Sequence, residues 1–225
     1  VYRAWSNSDA IQFSWVADYL LVDKIQFKFN YSSGGYGPRG ILLEDYARMQ
    51  DCIIESNQRA GSAAEYVIDM NGQYGAQDPS VKNVLIVMTY DSASNNSCQA
   101  FKTRGGLLYN CGVVCPSDLT NPGTGTSFAT NGYQSSTLIK SCYSFNHGGF
   151  ASGTWQSGSD YNASDDTSSP GANSQDSLTF ADQFVATDNT NWKLKAGSNL
   201  EAGGNTDSGN PNDILGTVRA TTTGG

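Results

Sequence analysis

The sequence has few charged residues, and basic residues are the scarcer kind. Asp, Glu, Lys and Arg make up 15% of the 225 residues, and 13 Lys and Arg stand against 21 Asp and Glu, which gives a net charge of −8. Nucleic-acid phosphates and anionic membrane surfaces are bound by clustered Lys and Arg. The sequence also lacks an apolar run of about 18 residues, the minimum for a membrane-spanning helix. We therefore expect neither nucleic acid nor membrane among its partners.

Residues that usually carry chemistry are scarce as well. His147 is the only histidine, and it lies in no recognised nucleophile motif. The five cysteines form no C-x-x-C pair and no Cys/His cluster, and Asp160, Asp165 and Asp166 lack the spacing of a calcium-binding loop. We expect these three acids to be turn residues. We assign no catalytic, cofactor-binding or metal-binding residue, and we expect no cofactor.

A six-residue phrase, in contrast, occurs five times. It reads apolar, variable, small polar or charged, apolar or Cys, variable and usually apolar, and it begins at residues 22, 49, 81, 108 and 139. Steps of 27 to 32 residues between copies are typical of repeat architectures. A second short β-prone run precedes each copy, and Gly, Asn, Ser and Asp crowd the gaps as they do between short strands.

A coil of parallel strands explains this spacing better than hairpins do. Each turn of such a coil lies about 4.8 Å from the next, and equivalent residues stack. We predict an all-β fold, a parallel β-helix solenoid of about five rungs. Residues 1–19 would form an N-terminal cap or first rung, residues 20–150 the rungs, and residues 151–225 a loop excursion and an irregular closing segment.

Two columns follow from this stacking. The first, the core ladder, is expected to face inward because free Cys packs as a small hydrophobe; a metal site or disulfides are the alternative. The second, the polar ladder, is expected at a turn where side chains bind backbone groups. The core ladder comprises Ile25, Cys52, Val84, Cys111 and Cys142, and the polar ladder comprises Lys24, Asp51, Asn83, Asn110 and Ser141.

The C-terminal part carries the most specific pattern. DQFV at 182–185, NWKLKAGS at 191–198 and DILGTVR at 213–219 resemble the closing segment of right-handed parallel β-helix (pectate-lyase-like) proteins of tailed phages and environmental bacteria. The resemblance is strong over 160–219 and extends over 20–145 through the phrases. It departs from the family pattern at 199–202, where NLEA stands in place of Pro-Ala-Ile. The resemblance implies a right-handed coil.

The fold that the resemblance implies hosts several kinds of function and does not name one. We predict a non-enzymatic structural protein of a phage virion, a capsid decoration or tail-associated surface protein located at the virion surface. Its expected partners are other virion proteins such as a capsid or tail protein, and a homo-oligomer is an open alternative.

Two alternatives place the protein outside the cell. One is a secreted or tailspike-borne polysaccharide lyase or hydrolase, which needs ionisable residues on the outer face. The other is a carbohydrate-binding adhesin that contacts a cell-surface glycan through aromatic side chains. Outward candidates for the enzyme are Glu44, Asp45, Glu65, Asp69, Asp91 and Arg104, and those for glycan contacts are Tyr31, Tyr36, Trp155 and Trp192.

Overall fold

The structure is a computed structural model. It describes residues 3–6, 20–30, 39–44, 46–58, 66–72, 79–90, 98–117, 125–130, 137–188 and 191–200. Strands predominate in these residues, so the predicted all-β class is confirmed. The strands are β1 (Arg3–Ser6), β2 (Leu21–Asp23), β3 (Gln26–Asn30), β4 (Arg39–Glu44), β5 (Arg48–Gln58), β6 (Tyr66–Asn71), β7 (Ser80–Tyr90), β8 (Gln99–Thr103), β9 (Gly106–Tyr109), β10 (Gly112–Val114), β11 (Thr126–Thr130), β12 (Thr137–Lys140), β13 (Tyr143–Phe145), β14 (Gly149–Ser152) and β15 (Ala163–Ser164). A short helix, α1 (Phe180–Gln183), follows them.

The strands belong to two sheets, and they pair in parallel throughout both. Sheet 1 contains β1, β2, β3, β5, β7, β9, β10, β12, β13 and β15, and sheet 2 contains β4, β6, β8, β11 and β14. From β3 to β15, a strand of sheet 2 follows each stretch of the chain in sheet 1 before the chain returns to sheet 1. This order suits parallel pairing, because parallel neighbours need a crossover connection.

The register of sheet 1 follows the repeated phrase. Val22 lies beside Met49, Met49 beside Val81, Val81 beside Leu108, and Leu108 beside Ile139. These are the first residues of the five copies, so equivalent positions stack along the sheet. The described part of the predicted cap at 1–19 includes β1, which pairs with β3.

The main core contains buried side chains from both sheets. In β5, Cys52 and Ile54 face this core, and the residue between them, Ile53, faces outward, as the two-residue period of a strand requires. In sheet 2, Phe101, Phe128 and Phe150 stack on successive strands, with ring centroids 5.1 and 4.8 Å apart. Aromatic stacking of this kind adds to the energy gained from burying the rings.

A second apolar cluster lies on the outer face of sheet 1. Val87, Val114 and Phe145 lie on that face, and Phe184 is buried against them. Residues 178–200, the returning segment, supply Phe184 and most of the partly buried residues around it. Those partly buried residues are Leu85, Tyr143, Leu178, Phe180, Trp192, Leu194 and Leu200. The apolar positions of the strings at 182–185 and 191–198 therefore include residues that pack this cluster.

The stack of strands extends past residue 150, the predicted end of the rungs. Ala163 of β15 lies beside Tyr143 of β13. Beyond β15, Ser164 N donates to Gln175 O and Gln175 N donates to Asn162 O. The loop segment that contains Gln175 thus covers the last edge of sheet 1.

Side chains cover the last edge of sheet 2. The N–H of Phe150 in β14 donates to Asp166 Oδ2 and Ser168 Oγ, both at 3.0 Å, and the N–H of Ala151 donates to Ser168 Oγ at 3.4 Å. Unpaired backbone groups at a sheet edge are a template for pairing with other chains. Here the side-chain oxygens of Asp166 and Ser168 accept hydrogen bonds from the N–H groups of this edge. In the described ranges, no helix has the length and hydropathy needed to cross a membrane.

Candidate functional site

Polar residues gather on the outer face of sheet 2. Leu43 and Met70 face the main core, so residues 42 and 44 of β4, and 69 and 71 of β6, face the other way. The next strand, β8, and the residue after it add two basic side chains to this face. We name this group the outward patch: Glu44, Tyr66, Asp69, Asn71, Lys102 and Arg104.

The strand register brings the members of the outward patch together. Asp69 and Lys102 are neighbours in the pairing of β6 with β8. Arg104 Nη1 donates a hydrogen bond of 3.0 Å to Asn71 Oδ1. Lys102 Nζ lies 4.0 Å from the centroid of the Tyr66 ring, which is within the range of a cation–π interaction.

The outward patch combines buried charge with donors that are not all used. Asp69 is only 1% exposed, and Lys102 is its neighbour in the strand register. Arg104 Nε is buried and has no hydrogen-bond partner among the described residues. Glu44, Lys102 and Arg104 are each partly exposed, so these three side chains can offer acceptors and cationic donors to a hydroxyl-rich or charged ligand. Of the predicted outward candidates it unites Glu44, Asp69 and Arg104; Asp45, Glu65 and Asp91 lie outside the described residues.

The polar ladder occupies a bend in the backbone. Its members share a left-handed conformation, which costs most residue types about 1–2 kcal/mol and is least unfavourable for Gly, Asn and Asp. Asn83 Nδ2 donates to Asp51 Oδ1 at 2.9 Å, so side chains at the bend bond from one turn to the next. The φ angles are 56° at Lys24, 53° at Asp51, 51° at Asn83, 52° at Asn110 and 53° at Ser141.

The core ladder lies in the interior beside this bend. Cys52, Val84, Cys111 and Cys142 are buried, and Ile25 is partly buried against the main core. All five cysteines of the chain are free thiols, so the ladder contains no disulfide. Burial raises the pKa of Cys52 to about 11 and raises the pKa of Cys142 as well. These thiols remain protonated near pH 7, which makes them poor nucleophiles.

The ladder thiols also act as hydrogen-bond donors. Each one points to the carbonyl two residues earlier, immediately before the left-handed residue. Gln50 O and Lys140 O also accept backbone hydrogen bonds from the neighbouring turn, from Lys24 N at 3.2 Å and Asn110 N at 3.1 Å. The thiol therefore adds a second hydrogen bond to the carbonyl at these two bends. The bonds run from Cys52 Sγ to Gln50 O at 3.0 Å, from Cys111 Sγ to Tyr109 O at 3.4 Å, and from Cys142 Sγ to Lys140 O at 3.4 Å.

Both ladders continue for one more turn, which the sequence pattern did not reveal. Tyr161 has a φ of 58°, and Asn162 lies beside Cys142, to whose N–H its Oδ1 is bonded at 3.0 Å. Asn162 Nδ2 donates to Ile139 O and Pro170 O, at 3.3 and 2.8 Å. The phrase was missed because a hydrogen-bonded Asn replaces the apolar residue. The only available signal in the sequence was the pair of residues 161 and 162, which lies 20 positions after the equivalent pair 141 and 142 of the fifth phrase.

His147 belongs to a buried hydrogen-bond network. Its Nδ1 lies 2.9 Å from Ser127 Oγ, which lies 2.6 Å from Ser144 Oγ. Burial lowers the pKa of His147 to about 4, so the ring is neutral near pH 7. Ser127 and Ser144 are as buried as the histidine, and a buried serine cannot attack a substrate in solution. The network joins β11, β13 and the connection after β13.

The three acids of the C-terminal region bind backbone amides. Asp160 Oδ1 accepts from Tyr161 N and Asn173 N, and Asp165 Oδ2 accepts from Asn146 N. Burial acts to raise the pKa of Asp166, but hydrogen bonds to its carboxylate outweigh burial and lower it. Across the part of the chain that the structure describes, no three His, Cys, Asp or Glu side chains converge in a group that could hold a metal ion.

The proposed glycan contacts are distributed differently. Tyr31 and Tyr36 lie outside the described residues. Trp155 is partly buried against the main core, and Trp192 stacks on Phe180, with centroids 6.2 Å apart and an interplanar angle of 11°. The two tryptophans thus contribute to packing in two separate clusters.

Comparison of the chain with protein-family models, with curated proteins and with solved structures gives no match in any of the three.

Proposed function

We propose that the chain is a right-handed parallel β-helix that serves as a non-enzymatic structural protein on the surface of a phage virion, as a capsid decoration or a tail-associated protein. The observation that supports this most is the continuous parallel register from β1 to β15. Each strand of the stack is bonded along its length to the next, which favours a rigid body. Such a body suits a protein exposed outside the cell.

The use of the polar side chains supports a structural role. Asp165 and Asp166 bind backbone amides, the ladder thiols donate to carbonyl groups, and His147 is sealed in a hydrogen-bond network. Stable hydrogen bonds protect backbone from the local opening that proteases need. The resemblance of residues 182–185 and 191–198 to the closing segment of phage β-helix proteins supports the proposal that this body belongs to a virion, with a capsid or tail protein as its proposed partner.

The test is to find the protein on particles. A tagged copy is expressed from its gene in the natural host, particles are purified on a density gradient, and the tag is detected by immunogold electron microscopy. We expect the tag to sediment with the particles and to label their surface, whereas an untagged strain gives no label. Recovery of the tagged protein only in the fractions without particles would contradict the proposal.

The outward patch favours a second candidate, a polysaccharide lyase or hydrolase. Glu44, Lys102 and Arg104, each partly exposed, give one face both carboxylate and cationic groups, as chemistry on acidic or neutral glycans requires. The purified protein is incubated with a panel of bacterial and algal glycans, beside the variants Glu44→Gln and Arg104→Gln. Release of oligosaccharides by the wild type and its loss in both variants would support an enzyme. Binding without cleavage, lost in Trp155→Ala, would support an adhesin, and the absence of both would exclude these alternatives for the panel.

A further inference from the structure

The connection between β13 and β14 joins sheet 1 to sheet 2 in only three residues. Residues 146–148 make the whole connection, and Asn146 and Gly148 both have positive φ, 55° and 51°. The tight path turns His147 into the interior, where it is 2% exposed. The only imidazole of the chain therefore lies at the last described crossing from sheet 1 to sheet 2, near the C-terminal end of the stack.

Several hydrogen bonds fasten this connection on both sides. On the inner side, His147 Nδ1 meets Ser127 Oγ, which reaches Ser144 Oγ in the other sheet. On the outer side, Asn146 N donates to Asp165 Oδ2 at 2.6 Å. At its far end, Phe150 N donates to Asp166 Oδ2. The inner histidine and the outer carboxylates thus hold the same short stretch of chain.

We propose that His147 and the loop at 165–168 form an acid-sensitive latch on the C-terminal end of the stack. Lowering the pH opens residues 146–152 and uncovers the edge of β14, while the strands earlier in the stack stay paired. The latch is closed near neutral pH, when the imidazole carries no charge.

The physical cause is the cost of a buried positive charge. An imidazolium enclosed by hydroxyl groups and apolar side chains loses its hydration and is stabilised only if the connection opens to water. With the pKa of His147 at about 4 in the closed form and about 6.5 when open, the opening equilibrium rises by about 100-fold between pH 7 and pH 4.

The titratable groups on the surrounding elements act in different directions. The pKa of Asp166 is lowered from its ordinary value of 3.8, so Asp166 stays ionised down to pH 4 and adds little to opening between pH 7 and pH 4. Burial raises the pKa of Asp165, so its protonation favours the closed form and opposes the effect of His147. Cys115, whose carbonyl accepts from Asn146 Nδ2, is a buried free cysteine. Asp176 accepts a hydrogen bond from Ser169 N on the far side of the loop.

The test follows amide hydrogen exchange at pH 7, 6, 5 and 4, corrected for the intrinsic dependence of exchange on pH. Peptides covering 143–152 are compared with peptides from β5 and β7 in the wild type, in His147→Asn and in Val185→Ala. Asn provides a polar group near the position of Nδ1 and does not titrate. Val185 is exposed, and its substitution controls for general handling.

In the wild type we expect opening of 143–152 to increase about 100-fold from pH 7 to pH 4, while β5 and β7 change by less than about threefold. In His147→Asn the dependence on pH should shrink to less than about tenfold. An equal increase in exchange in all wild-type peptides would overturn the inference. An unchanged pH dependence of exchange in a folded His147→Asn variant would also overturn it.

Discussion

At the scale of single residues, the bend in each turn is held by two adjacent positions with different tasks. One adopts a left-handed conformation, as Asn83 and Asn110 do, and the next points inward and supports the carbonyl before the bend, as Cys111 does. The pairing of these tasks explains why a polar residue precedes a cysteine so often in the repeated phrase. A thiol is small and apolar enough for the core and still donates a hydrogen bond.

Substitutions at Cys111 separate packing from hydrogen bonding. We expect Cys111→Ser, which keeps a donor for Tyr109 O, to unfold with a free energy about 1 kcal/mol larger than that of Cys111→Ala, which leaves this buried acceptor without the bond. Urea denaturation followed by circular dichroism measures both. The variant Cys111→Val, which carries the side chain found at Val84, is the matched control. If Cys111→Val is as stable as the wild type and Ala is no worse than Ser, the thiol acts only as a hydrophobe.

The glycine at position 112 illustrates a constraint from a neighbouring turn. A Cβ added to Gly112 would collide with the ring of Tyr143, and that ring packs against Phe184 and Phe145. The ring cannot swing away without disturbing the second cluster. Gly112 is therefore required by a residue 31 positions later, its partner in the register of β10 and β13.

We expect Gly112→Ala to lower the free energy of unfolding by about 1–3 kcal/mol, the usual cost of overpacking. In a Tyr143→Ala background the same substitution should cost less than about 1 kcal/mol, because the colliding ring is gone. Denaturant titration of the four proteins completes the cycle. An equal cost in both backgrounds would show that the glycine is needed for another reason. Gly149→Ala, whose added Cβ would make only ordinary contacts, is the control.

At the scale of elements, the returning segment is the main addition to the repeated strands. Phe180, Phe184 and Trp192 pack against one another, and Phe180 and Phe184 also pack against Phe145. The ring centroids of these pairs lie between 5.4 and 6.2 Å apart. They cover outer-face positions that are apolar in β7, β10 and β13. In β3 and β5 the outer face instead carries Lys28 and Glu55, which form an ion pair at 2.7 Å. The outer face of sheet 1 is thus apolar at the strands that the returning segment covers and charged at the earlier strands β3 and β5.

Removing the central ring of this cluster tests the role of the segment. Phe184 is 1% exposed, whereas the next residue, Val185, is 51% exposed. We expect Phe184→Ala to cost about 3–5 kcal/mol, as truncation of a buried phenylalanine does, and Val185→Ala to cost less than about 0.5 kcal/mol.

Denaturation curves give these two costs, and tryptophan fluorescence should shift to the red in Phe184→Ala because Trp192 becomes more exposed. Similar stabilities for the two variants would mean that the returning segment adds little to the fold.

At the scale of the whole molecule, stability depends on pH through His147. Its pKa is about 4 in the folded chain and about 6.5 when unfolded, so the unfolded state binds the proton more readily. The stabilising contribution is complete above pH 6.5 and is lost as the pH falls towards 4, by about 3 kcal/mol in total. Urea denaturation at pH 7 and pH 4.5 measures this loss.

In His147→Asn the fall between pH 7 and pH 4.5 should be smaller by most of that amount. A variant that loses as much stability as the wild type between pH 7 and pH 4.5 would contradict this assignment to His147. Asp160 and Asp166, whose pKa values are lowered by hydrogen bonds that outweigh burial, do not account for a change in this range, because their contribution is present above their unfolded pKa, near 3.9, and is lost only below it.

The sequence by itself determined the repeat and the residues that stack. Five copies of one phrase, each with the same alternation of apolar and polar residues, define the register of sheet 1, because a shift by one residue would move every apolar side chain to the wrong face. The same pattern placed Cys52, Cys111 and Cys142 in one column without any structural information.

Tertiary structure alone decided which side chains come into contact when the sequence repeat does not relate their positions. Ser127, Ser144 and His147 converge, Asn162 replaces an apolar residue in the core ladder, and the outward patch assembles residues from 44 to 104. Hydrogen bonds between side chains depend on direction and on distances of a few tenths of an ångström, and a linear pattern of residue types contains neither. The stacking of equivalent residues follows from the repeat in the sequence. Contacts between different kinds of side chain follow from the three-dimensional course of the backbone.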